Sequence, residues 1–84
     1  MDDLNGRPKR HPVKAWVARA NAYLDEDNQI TLSGIARRCG QSYSYTNGFV
    51  NGYVKPNAYV ESMLGTVIAY CKEIIARHEV EDQR

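Results

Sequence analysis

Tyr43, Ser44, Asn47 and Asn51 are the residues whose types and spacing most readily do chemistry in this chain. Their separations of one, three and four residues place them along one side of a helix. Every one of these side chains can make hydrogen bonds and none is acidic, and Gln41, Ser42 and Gly48 belong to the same strip. Amides, hydroxyls and a phenol at this spacing form no acid–base pair. Their chemistry is non-covalent reading of donors and acceptors on a partner. Base-pair edges in a DNA major groove present such a pattern, distinct for each pair.

Catalysis is not expected. Neither His11 nor His78 has a carboxylate or nucleophile at useful local spacing, and no glycine-rich loop is arranged to cradle a phosphate. The two histidines are too remote in sequence to suggest zinc, and the run Asp25-Glu26-Asp27 lacks a further ligand at calcium-binding spacing. No cofactor, metal or small-molecule ligand is therefore anticipated. Cys39 and Cys71 lie on apolar helical faces rather than in a spaced framework, which predicts two buried thiols in a reducing cytoplasm. The acidic N-terminus has no apolar stretch of the secretory kind, and the longest apolar run, Val67 to Cys71, is far too short to span a bilayer.

The reading strip needs an element that holds it outward, and the segment Thr31 to Pro56 supplies one. Thr31 suits a helix N-cap, accepting from Ser33 or Gly34. Leu32, Ile35, Ala36 and Cys39 share one helical face, and Gly40 suits a left-handed turn. Ser42 caps a second helix expected to reach about Asn51, where Gly52 stops it. Thr46 and Phe49 then point back to Ile35 and Ala36. The expected architecture is all-α: a small helix-turn-helix domain of about four helices with a long C-terminal helix.

This segment resembles the helix-turn-helix of the phage repressor and Cro family of DNA-binding proteins. The resemblance rests on Ile35-Ala36, Gly40, Ser42, Phe49, Asn51-Gly52 and Lys55-Pro56, and it covers about Ile30 to Tyr59. It implies that the N-terminal half of the second helix reads bases, which falls here on Gln41 to Ser44 with Asn47 and Gly48. The chain departs from the family at Thr46, where a branched aliphatic residue is usual, and at Leu32, where glutamine often contacts phosphate. Gly48 inside the reading helix costs about 1 kcal/mol relative to alanine.

Charge is distributed unevenly behind a net value of +1. Residues 1–55 hold eight Lys or Arg against five acids, a net +3, whereas residues 56–84 are at −2. Arg7, Lys9, Arg10, Lys14, Arg37, Arg38 and Lys55, with Tyr53, are the expected contacts to the DNA backbone or minor groove. Residues 1–11 are read as a flexible basic arm and residues 12–84 as the single domain. Within the arm, Gly6-Arg7-Pro8 followed by Lys9-Arg10 resembles the core of an AT-hook, with Asn5 where that motif has its first arginine.

Two flanking helices complete the expectation. The first starts near Pro12 and runs Val13, Trp16, Val17, Ala20 and Leu24 along its buried face, with Trp16 as a core anchor. The last runs from about Asn57 to His78 with a charged, frayed tail from Glu79. It carries two apolar stripes, and the surplus (Val67, Ile68, Cys71, Ile74 and Ile75) is assigned to a homodimer interface. Together these features predict a small repressor of phage, plasmid or bacterial type that binds an inverted repeat in double-stranded DNA as a dimer. The alternatives are a non-regulatory DNA binder of small-terminase or architectural type, or a phage-type protein-interaction inhibitor that keeps the fold.

Overall fold

Residues 10–82 are described in a computed structural model of the chain, with side chains through Val80. Four helices occur in the order α1 (Pro12–Asn21), α2 (Leu32–Cys39), α3 (Tyr43–Val50) and α4 (Ala58–Asp82), with a 3-10 turn at Glu26–Asn28 between α1 and α2. There is no strand among the described residues.

Local chemistry sets most of the boundaries. Pro12 opens α1, and His11 caps it by accepting the Val13 amide on Nδ1 at 3.0 Å. Thr31 accepts from Gly34 and Ser42 from Tyr45, so α2 and α3 each begin on a hydroxyl cap worth about 1 kcal/mol. Asn57 caps α4 through Val60. At the other ends, Gly40 (φ 67°) and Gly52 (φ 87°) occupy the left-handed region. Behind each glycine the next amide folds back onto the helix, Gln41 to the Ala36 carbonyl and Tyr53 to the Gly48 carbonyl. Three residues, Gly40 to Ser42, therefore turn the chain from α2 into α3.

The first helix ends three residues earlier than its apolar periodicity suggests. The amides of Ala22, Tyr23 and Leu24 tighten to carbonyls three residues back, and α1 closes at Asn21. The Asn21 amide then bonds both backbone groups of Ile30, at 2.8 and 2.9 Å, and pins the acidic loop against the end of the helix. At the C-terminus the helix continues through the stretch expected to fray, as far as Asp82.

The core joins all four helices. Val13 and Ala20 of α1, Ile35 and Cys39 of α2, and Phe49 and Val50 of α3 meet Val60, Leu64, Val67, Cys71, Ile74 and Ile75 of α4. α1 and α2 both pack on α4, so α4 needs apolar residues over a wider arc than one neighbour requires. The residues assigned to a dimer interface contribute to this core: Val67, Cys71, Ile74 and Ile75 are buried within the single chain, and Ile68 is half-buried against it. Burial raises both cysteine pKa values above the ordinary 9.0, with a backbone hydrogen bond acting the opposite way at Cys71. The thiols are free and held protonated.

Candidate nucleic-acid interface

The outer side of α3 begins with Tyr43, which is 58% exposed, and continues with exposed Ser44 and Asn47. The inner side buries Thr46, Phe49 and Val50. Thr46, a departure from the branched aliphatic residue of the resembled family, is fully buried. Its hydroxyl donates to the Ser42 carbonyl at 2.8 Å, which satisfies the polar atom and leaves the methyl for packing. Tyr45 meets Phe49 edge-on with centroids 5.3 Å apart and holds the flank of α3. The helix is therefore anchored on one side and presents phenol, hydroxyl and amide groups on the other.

The assigned reading residues do not all share that outer side. Ser42 is exposed, with its hydroxyl oxygen accepting in the cap and its proton free to donate. Gln41 is half-buried in the turn. Gly48 is displaced from the reading face: its carbonyl accepts the amides of Tyr53 and Val54, and a Cβ there would lie 2.9 Å from Val54 Cγ2. The return of the loop after α3 over this position accounts for the glycine. Asn51 is the C-cap, and its side chain is engaged within the protein. It accepts from Lys14 Nζ at 2.5 Å and donates to Asn47 at 2.9 Å.

Among the expected backbone contacts, Arg10, Lys14, Arg37, Arg38, Tyr53 and Lys55 are exposed. Lys14 stands beside α3 through its bond to Asn51, and both border an open cleft of about 180 Å³ floored by Val17, Leu32, Ile35 and Val50. Arg38 lies elsewhere, in a cleft with Asn28, Thr31, Val67 and Tyr70 that includes no α3 residue. Arg7 and Lys9, and with them the AT-hook-like core, lie outside the described residues. The acids between residues 10 and 57 are confined to Asp25, Glu26 and Asp27 at the α1–α2 corner.

His11 was missed as a positioning residue. Assigned to a flexible arm, it instead caps α1, donates its amide to the Val50 carbonyl at 3.0 Å, and contacts Glu61 Oε1 through Nε2 at 2.6 Å. With Nδ1 accepting from a backbone amide, the proton resides on Nε2. One residue thus links α1, the end of α3 and the start of α4. The proline after it marks a helix start, but histidine is not a preferred cap, so the sequence signal was partial. Trp16 is covered by the cations of Arg19 and Lys72, at 4.7 and 5.0 Å from its ring, and serves packing.

Among the described residues, no group of three His, Cys, Asp or Glu side chains could hold a metal ion, and no helix is long and apolar enough to cross a membrane. Comparison with protein-family models, curated proteins and solved structures gave no match for this chain.

Proposed function

We propose that this chain is a sequence-specific DNA-binding regulator that acts as a repressor by occupying its site. The observation that carries this reading is the outward side of α3. An anchored helix that carries no acid presents Tyr43, Ser44 and Asn47 beside the lysine of α1. Such a face suits hydrogen-bonded reading of a major groove, and the flanking cations suit phosphates. An eight-residue helix reaches few base pairs, so useful specificity calls for two copies on an inverted repeat. Exclusion of polymerase from the covered promoter then requires no further domain.

Selection from a random duplex pool, followed by counting protein copies on the winning site, tests this function. A symmetric consensus bound by two chains is expected. A weak, asymmetric preference supports the architectural or small-terminase alternative, and absence of salt-sensitive DNA binding supports the protein-interaction alternative. Tyr43→Ala is expected to leave the helical circular dichroism unchanged, because the ring is exposed, and to reduce discrimination against single-base changes in the site by about 1 kcal/mol or more. Unaltered discrimination removes Tyr43 from the reading face.

A further inference from the structure

We infer that Lys14 of α1 sets which bases Asn47 selects, by fixing the orientation of two amides in series; this rests on the DNA-reading role proposed for α3. Lysine has three donors and no acceptor, so the Asn51 atom 2.5 Å from Lys14 Nζ is the oxygen. Asn51 Nδ2 is thereby turned the other way, where it lies 2.9 Å from both the main-chain carbonyl and the side-chain Oδ1 of Asn47. The carbonyl accepts only, so both ends of the relay agree on the same polarity. Asn47 is left with its Oδ1 engaged by Asn51, and its Nδ2 makes no hydrogen bond to the described residues.

An asparagine that reads adenine by two bonds uses its oxygen for the exocyclic amine and its nitrogen for the ring acceptor. Here the oxygen is held inward, and the outward edge of Asn47 is a donor. It matches bases that show acceptors in the major groove, guanine first with its two adjacent acceptors, then adenine through its ring nitrogen or thymine through its carbonyl. It excludes cytosine, which shows only a donor. Lys14 touches no base in this scheme. It is a positioning residue that converts an amide of either polarity into one of fixed polarity.

The test is selection from random duplex pools by the full chain and by three variants. The wild-type consensus is expected to hold one position, lost in Asn47→Ala, that favours guanine and excludes cytosine. In Asn51→Asp the carboxylate accepts from Lys14 and has no proton for Asn47, so the Asn47 amide turns its nitrogen inward. The same position is then expected to shift about tenfold toward cytosine, the base that presents an amine and no acceptor. Lys14→Met should flatten preference at that position alone, and Lys14→Arg, also donor-only, should restore it. In the free protein, the Asn51 side-chain amide protons should exchange with solvent more slowly than those of Asn47. Equal exchange rates, or an unchanged base at that position in both Asn51→Asp and Lys14→Met, overturn the relay while leaving DNA reading intact. Failure of the wild-type chain to bind any duplex overturns the DNA reading itself, and the relay's role with it.

Discussion

Single residues in α3 reconcile helix formation with close contact to the following loop. Gly48 carries the propensity cost of glycine in a helix interior, yet α3 runs unbroken from Tyr43 to Val50. The cost is offset by the turn that returns over it, with two amides bonding its carbonyl and Val54 lying where a side chain would project. Gly48→Ala gains about 1 kcal/mol of helix propensity but pushes against a β-branched neighbour with little freedom at χ1, an overpacking that costs about 1–3 kcal/mol. A net loss of up to about 2 kcal/mol is expected in urea denaturation. Adding Val54→Ala should reverse the sign, giving a double variant more stable than the single one. If Gly48→Ala alone is stabilising, contact with Val54 is not what excludes a side chain there.

At the scale of elements, helix starts and stops were readable because their signals are local. Thr31, Ser42, Pro12, Gly40 and Gly52 each act within a few residues of themselves, and each performs the role its type suggests. The contacts that orient the helices were not readable. Asn21 to Ile30, Lys14 to Asn51 and His11 to Val50 join positions that no periodicity connects. The candidate site was legible to the same extent: exposure of Tyr43, Ser44 and Asn47 follows from helical spacing, whereas engagement of Asn51 and withdrawal of Gly48 depend on neighbours far along the chain or on the loop's path. His11 shows what such a contact contributes. His11→Ala removes both the cap of α1 and the link to Glu61, and a loss of about 1–2 kcal/mol in denaturation is expected. Glu61→Gln keeps an acceptor for Nε2 and should cost clearly less. Equal losses in the two variants would assign the stabilisation to the hydrogen bond with the Glu61 carboxylate instead of the cap.

Across the whole molecule, the width of the apolar surface on α4 decides between assembly and core. Sequence alone shows two stripes on that helix but not how many neighbours share them. The structure packs α1 and α2 against it, and Val67, Cys71, Ile74 and Ile75 are consumed inside one chain. The second copy that the proposed function calls for would therefore meet other surface, such as the half-exposed edge at Ile68. The two arrangements make opposite predictions for Ile75→Lys. On a dimer interface, a lysine there separates the copies and leaves folded monomers. In the core, an unpaired charge replaces a side chain that is 4% exposed, and the cost of several kcal/mol is comparable to the entire stability of a domain this small. The expected result is loss of most helical circular dichroism at 25 °C, with Ile68→Lys, at the solvent edge, retaining it. Sedimentation that finds the Ile75→Lys variant helical and half the wild-type mass would return Ile75 to an interface and require α4 to swing away from α1.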